Sequence, residues 1–181
     1  MKASKTPAIP ATGLRLQWTK KPDGTVIFRA LRPDGTATWN RGPVSSPSGF
    51  FVSHDLGHYA IETVLNLRNA FWGLLARGWD LLDFETPFPQ RNESLRTHDA
   101  QLAEYLAGLR DRERQCHMVL TTSEVNEHLQ AYFAQNSLGT PRCLTEAELQ
   151  AIRNRHLVLL EEYDALPVGE TLELWFLLEQ K

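Results

Sequence analysis

Hydrophobic and polar residues alternate one by one in two parts of the chain, which is the period of a β-strand with one buried face. The alternation covers residues 14–18 near the start of the sequence and residues 172–178 near its end. An isolated strand is not stable alone. We therefore predict that the late strand joins the early strands in one sheet and that its apolar residues Leu172, Leu174 and Phe176 are buried.

The tetrapeptide Pro-Asp-Gly-Thr occurs twice, at residues 22–25 and 33–36. Proline fixes φ and glycine supplies a positive φ, so each copy is typical of a tight turn. Two such turns separated by one short apolar run predict two successive hairpins. Residues 13–41 are therefore predicted to form a three-stranded antiparallel meander.

Apolar residues recur at helical spacing between these two strand regions. Four residues with capping side chains precede the helical patterns, namely Ser53, Thr97, Thr121 and Thr145, and the last two begin capping boxes. A very apolar segment at residues 69–84 predicts a further, buried helix. Strands at both ends with helices between them predict an α+β fold, with an antiparallel sheet of about four strands packed against about five helices.

Length and composition fit one folded domain over residues 13–181, preceded by a flexible segment at residues 1–12. The chain has 181 residues, of which 42% are hydrophobic and 23% charged. A net charge of −3 gives no electrostatic reason to expect a nucleic acid or an anionic membrane as a partner. No run of about 18 apolar residues predicts a membrane span. Cys116 and Cys143 do not form a C-x-x-C pair, which favours a reduced, cytoplasmic setting.

The sequence concentrates candidate metal ligands in one predicted helix. His54, Asp55, His58 and Glu62 fall on an arc of about 100° of that helix. Imidazole nitrogens and carboxylate oxygens are the groups that bind zinc, and two histidines four residues apart occur in the helical zinc motif of metalloproteases. We therefore predict a site for zinc or a similar divalent metal at these four residues.

A second interpretation of the same helix needs no metal. Polar residues opposite an apolar stripe are also typical of a solvated helix face, and Asp55 near a helix start at Ser53 suits the positive end of the helix dipole. His128 and His156 are candidates for a ligand from elsewhere in the chain. For His156, which lies on an apolar stripe, a hydrogen-bonded core histidine is the first interpretation. The charged run at residues 111–114 is interpreted as solvated.

Two classes of function follow from these interpretations. The first is a metal-binding protein, with hydrolysis by a metal-bound water as its candidate chemistry and Asp55 or Glu62 as base or ligand. The second is a non-catalytic interaction module without a metal. No motif marks a phosphate-binding loop, a dinucleotide fingerprint or a nucleophile elbow, so the sequence assigns no reaction or substrate.

Short segments around His54 resemble known families. The sequence His-Asp-Leu-Gly-His at residues 54–58 resembles part of the metal motif of HD-domain phosphohydrolases, but that family requires an earlier histidine, which this chain lacks. The same residues resemble the H-D-x-x-H zinc motif of the ubiquinone-biosynthesis scaffold family, whose glutamate is replaced here by Ala70. We therefore assign the chain to neither family.

A third resemblance covers two separate patches of the chain. The run His-Asp-Leu-x-His-Tyr-x-Ile-Glu at residues 54–62 and the late strand at residues 169–174 resemble small uncharacterised bacterial proteins. This resemblance implies a shared fold family and carries no known activity.

Overall fold

The computed structural model describes residues 13–42, 48–85 and 92–178, and the predicted flexible segment 1–12 lies outside them. Within these ranges the chain forms one four-stranded antiparallel sheet and five α-helices, which confirms the predicted α+β class. The strands are β1 (Gly13–Lys20), β2 (Val26–Leu31), β3 (Ala37–Arg41) and β4 (Thr171–Leu177). The helices are α1 (Ser48–Val64), α2 (Phe71–Ala76), α3 (His98–Gln115), α4 (Thr122–Gln135) and α5 (Glu146–Asp164).

The sheet has the strand order β3-β2-β1-β4, so the late strand joins the early strands as predicted, and its neighbour is β1. Trp18 of β1 lies opposite Phe28 of β2 and Leu172 of β4. The alternating apolar residues of these strands point to one face, because successive side chains in a strand point to opposite sides. That face is buried and contains Leu14, Leu16, Trp18, Val26, Phe28, Ala30, Leu172, Leu174 and Phe176.

The two predicted turns use the same local chemistry. In the first, the carboxylate of Asp23 accepts hydrogen bonds from the backbone N–H of Thr25 at 3.0 Å and from its hydroxyl at 2.6 Å. Gly24 has φ +79°, a conformation that favours glycine. The second turn repeats the pair of bonds between Asp34 and Thr36. The repeated tetrapeptide therefore makes two equivalent hairpin connections.

Helix α1 lies between the sheet and the other long helices. Val52, Leu56 and Tyr59 pack with the buried face of the sheet, whereas Ile61 on the other side of α1 packs in a second core with α3, α4 and α5. The approach of α5 is close at Gly57, where an added Cβ would lie 3.3 Å from His156 Cε1. The helix that carries the candidate ligands is therefore covered on several sides.

Three of the four predicted capping residues are confirmed. Thr97, Thr121 and Thr145 accept hydrogen bonds from the first turns of α3, α4 and α5, and the last two form capping boxes. The prediction for Ser53 is wrong, because α1 already begins at Ser48. Val52 and Leu56 lie four residues apart and both bury against the sheet, so the apolar helical face extends before Ser53.

The apolar segment after α1 does not form one long helix. It folds as the short helix α2, followed by a 3-10 turn at Leu81–Phe84. Trp72 is fully buried between the sheet and α1, in contact with Trp18 and Phe28, so it belongs to the core. Gly73 permits this packing, because a Cβ there would lie 2.0 Å from the carbonyl oxygen of Arg68.

Among the helices of the described ranges, none combines the length and the apolar character needed to cross a membrane.

Candidate metal site

The polar side of α1 faces the interior, which contradicts the interpretation of a solvated face. His58 is 4% exposed and Glu62 is fully buried. Two carboxylates of α3, Glu104 and Asp111, face these residues and His54. The five side chains, His54, His58, Glu62, Glu104 and Asp111, are called the histidine–carboxylate cluster below.

His54 is oriented by Asp111. Its ring Nδ1 lies 2.6 Å from Oδ2 of Asp111, a carboxylate that is largely buried. Burial of the ring lowers the pKa of His54, but the hydrogen bond to Asp111 and the charge of this carboxylate outweigh burial, so the pKa is raised above its ordinary value. Because Asp111 contacts Nδ1, binding of a metal ion by His54 would use Nε2.

His58 lies between two carboxylates. Its Nδ1 is 3.4 Å from Oε1 of Glu62 and its Nε2 is 3.6 Å from Oε2 of Glu104. Nδ1 of His58 and Oε1 of Glu62 are both buried, and neither atom has a hydrogen bond within the described part of the chain. Glu62 also accepts the backbone N–H of Trp72 at 3.0 Å. Burial raises the pKa of Glu62, and the nearby ring of His58 and the hydrogen bond from the backbone N–H of Trp72 only partly offset this effect.

Three of these side chains are close enough to share an ion. One ligand atom each from His54, His58 and Glu104 lies within 4.8 Å of the other two. Ligand atoms on one tetrahedral zinc are about 3.3 Å apart, given bonds of about 2.0 Å to nitrogen and oxygen. The pair from His58 and Glu104 already approaches this spacing. Glu104 is the exposed member, so its side chain is the one with the most freedom to adjust towards an ion.

The four side chains predicted as ligands therefore do not all face the same point. The structure brings His54 and His58 together, with their ring centroids 4.8 Å apart. Asp55 instead points towards the sheet, where its Oδ2 accepts the indole N–H of Trp18 at 3.2 Å. Burial raises the pKa of Asp55 to about 6, although the hydrogen bond from Trp18 acts in the opposite direction. Direct ligation by Asp55 or Glu62 stays a prediction, and both carboxylates have other partners here.

The predicted outside ligands, His128 and His156, lie elsewhere. His156 is fully buried and its Nε2 donates to the backbone carbonyl of Ser53 at 2.9 Å, which confirms the interpretation of a hydrogen-bonded core histidine. Burial and the charges of Arg110 and Arg114 lower its pKa to about 4. His128 is exposed on α4 and is not part of the cluster.

The sequence interpretation missed the residues that α3 contributes. Asp111 and Glu113 are buried, so the prediction that the charged run at residues 111–114 is solvated is wrong for these two side chains. Glu104 and Asp111 are seven residues apart, a spacing of two helical turns that places them on one face. This spacing was the available signal, but it says nothing about which helix that face contacts.

Comparison of the chain with protein-family models, with curated proteins and with solved structures finds no match.

Proposed function

We propose that this protein binds a divalent, zinc-like metal ion through His54, His58 and Glu104. The observation that carries the proposal is that both histidines converge on Glu104 while a carboxylate faces the Nδ1 of each ring. Histidine ligands of metals usually have such a partner on their second nitrogen, which fixes the tautomer and the ring orientation. In this proposal Asp111 orients His54 and Glu62 orients His58.

The charge of the cluster also supports a cation. Three carboxylates, those of Glu62, Glu104 and Asp111, face two imidazole rings. Neutral rings, the form needed to bind a metal, give no positive charge to the buried carboxylates of Glu62 and Asp111, and buried charge without compensation is costly. A divalent ion at the Nε2 side of both rings supplies that charge.

We infer a hydrolase as the reaction class. Catalytic zinc sites have three protein ligands and a fourth position for water or substrate, and His54, His58 and Glu104 are three such ligands. A metal at such a site lowers the pKa of the water bound to it, which generates a nucleophile near neutral pH. A cytoplasmic location is part of the same proposal and is supported by the exposed free thiols of Cys116 and Cys143.

Metal analysis of protein purified without a histidine tag tests the proposal. We expect one divalent ion per chain, lost in His54→Ala, His58→Ala and Glu104→Gln. Zinc added to metal-free protein should raise the free energy of unfolding by about 2.7 kcal/mol at a free concentration one hundred times the Kd. His98→Ala is the matched control, since His98 lies on α3 with its Nε2 3.2 Å from the carbonyl oxygen of Thr140.

Two results contradict the proposal. The first is metal-free protein whose stability does not respond to zinc, cobalt or manganese. The second is equal zinc stabilisation in the wild type and in His58→Ala. If the metal binds but the loaded protein hydrolyses neither activated esters nor phosphoesters faster than Glu104→Gln does, the metal site stands and the hydrolase inference fails.

A further inference from the structure

A separate cavity lies on the other side of α1, between its first half and the sheet. Its volume is about 120 Å³. Its walls are mainly apolar and include the rings of Trp18, Phe28 and Phe51, with Val26 and Val52 beside them. Asp55 lines the same cavity, and Asn40, Arg41 and Gly42 form its outer part. This cavity belongs to the sheet side of α1, whereas the histidine–carboxylate cluster belongs to the α3 side.

The carboxylate of Asp55 has acceptor capacity to spare. Its Oδ2 accepts the indole N–H of Trp18, and within the described residues this is its one hydrogen bond. A carboxylate has about four lone-pair positions on its two oxygens. The second oxygen is therefore available to a donor inside the cavity. Trp18 itself is fully buried, so its bond fixes the direction of the carboxylate.

The indole of Trp18 and the guanidinium of Arg41 already have acceptors, which argues against an anionic occupant. The indole N–H of Trp18 is used by Asp55. The guanidinium of Arg41 donates to the carboxylate of Asp23 and, at 3.2 Å, to the hydroxyl of Thr25. An anion in the cavity would meet the carboxylate of Asp55 and these occupied donors. A cationic donor instead meets a carboxylate and aromatic rings, both of which attract positive charge.

The volume limits the size of the occupant. A water molecule takes about 30 Å³ in the liquid, so the cavity has room for about four waters. Pockets for drug-sized ligands are larger, at about 300–1,000 Å³. The occupant is therefore a short alkyl chain with one polar end.

We propose that this cavity binds the ammonium group of a small alkylamine, with Asp55 as the hydrogen-bond acceptor and the rings of Trp18, Phe28 and Phe51 around the alkyl chain. The ammonium belongs to a free amine or to a lysine side chain, which share this chemistry. The proposal does not depend on a metal ion, because the residues that form the cavity are not the proposed metal ligands.

Titration with n-butylammonium, followed by NMR of the tryptophan indole N–H signals, tests the proposal. We expect a saturable shift of the Trp18 signal, because its N–H donates to Asp55. The neutral isostere n-butanol should bind about tenfold more weakly, since it lacks the charge. Asp55→Asn keeps an acceptor for Trp18 and should weaken n-butylammonium binding about tenfold without weakening n-butanol. Asp164→Asn, at an exposed residue of α5, makes the same charge change and should have no effect.

Further titrations distinguish a free amine from a lysine side chain and test the contribution of the aromatic rings. N-acetyl-lysine methylamide that binds as tightly as n-butylammonium assigns the cavity to lysine side chains, and weaker binding assigns it to free amines. Phe51→Leu should weaken the ammonium more than the alcohol, because a cation interacts with a ring face. His58→Ala should retain amine binding, whatever its effect on zinc. Equal binding of n-butanol and n-butylammonium, or an unchanged affinity in Asp55→Asn, would overturn the proposal.

Discussion

Two groups of buried charged side chains lie along α3 and differ in what compensates their carboxylates. In the arginine–glutamate cluster, formed by Arg110, Glu113 and Arg153, one oxygen of Glu113 accepts from Arg110 and the other from Arg153. The backbone N–H of Leu120 adds a bond at 2.9 Å. Burial alone raises the pKa of Glu113, but these donors outweigh burial and lower the pKa below its ordinary value. Guanidinium groups stay charged at every working pH, so the carboxylate of Glu113 always has its counter-charges.

Within the described residues, no guanidinium group donates a hydrogen bond to a carboxylate of the histidine–carboxylate cluster, and Arg68 acts on Glu62 through its charge alone. Glu62 is fully buried and Glu113 is 4% exposed, but Glu62 faces an imidazole nitrogen at 3.4 Å and its pKa is raised, mainly by burial. Imidazole loses its charge near neutral pH, so its compensation of a carboxylate depends on conditions. Burial of a carboxylate therefore does not by itself mark a functional site. The second cluster differs because, among the described residues, its carboxylates face imidazole rings and receive no hydrogen bond from a guanidinium group.

The largest expected effect comes from one substitution made in both clusters. Glu113→Gln leaves Arg110 and Arg153 without their shared counter-charge and should reduce the free energy of unfolding by about 3–5 kcal/mol. Glu62→Gln in metal-free protein should change it by less than about 1 kcal/mol, because the amide oxygen still accepts the N–H of Trp72. Urea denaturation at neutral pH with a chelator measures both values. Equal losses would remove the distinction between the clusters.

A smaller, pH-dependent effect is expected at His156, which lies between α1 and α5. The groups that face it are the carbonyl of Ser53, the guanidinium groups of Arg110 and Arg114, and the carboxylate of Asp111. Its pKa is about 4 in the folded protein against 6.5 ordinarily. A lowered pKa stabilises the fold fully above about pH 6.5, and this contribution is lost as the pH falls towards 4. The contribution amounts to about 3 kcal/mol.

His156→Gln tests this contribution, because the glutamine amide can still donate to the carbonyl of Ser53. Denaturation of metal-free wild type and variant is compared at pH 7 and pH 4.5. The wild type should lose more stability than the variant between these two values. Parallel losses would show that His156 does not titrate in this range.

The smallest expected effect is at His128. This histidine is exposed on α4, outside both clusters, so His128→Ala should change the free energy of unfolding by less than about 0.5 kcal/mol. It should also leave zinc stabilisation unchanged, unlike His58→Ala. Thermal denaturation with and without zinc measures both effects. A loss of zinc stabilisation in His128→Ala would restore His128 as a candidate metal ligand from outside α1. It would also weaken the assignment of Glu104 as that ligand.

The fold was predictable where a local pattern has a local cause. The threonines before α3, α4 and α5 cap the helices that follow, and the two Pro-Asp-Gly-Thr turns bond within themselves. That β4 joins the early strands followed from the need of a lone strand for a neighbour, whereas the choice of β1 as that neighbour was not predicted. The start of α1 was predicted too late, because Ser53 has the side chain of a cap. Its hydroxyl instead accepts from Arg114, a contact between distant parts of the chain.

The candidate site was predictable only within α1. The four-residue spacing of His54 and His58 places their rings together, and the structure agrees. Asp55 lies on the same arc, but one residue of rotation turns it towards Trp18 of the sheet. Glu104 and Asp111 could not be assigned, because their role depends on α3 packing against α1. Helical periodicity gives the faces of each helix and leaves the pairing of those faces undetermined.

The pairing of β1 with β4 has a consequence for synthesis of the protein. Thr19 and Thr171 are hydrogen-bonded neighbours in the sheet, although they are 152 residues apart in the chain. During synthesis on the ribosome, the edge of β1 that pairs with β4 therefore has no partner until α5 has been made. During this interval an unpaired strand edge and the apolar face around Trp18 are open to other chains. Contacts this distant also slow folding, which lengthens the interval in which the nascent chain is open to aggregation.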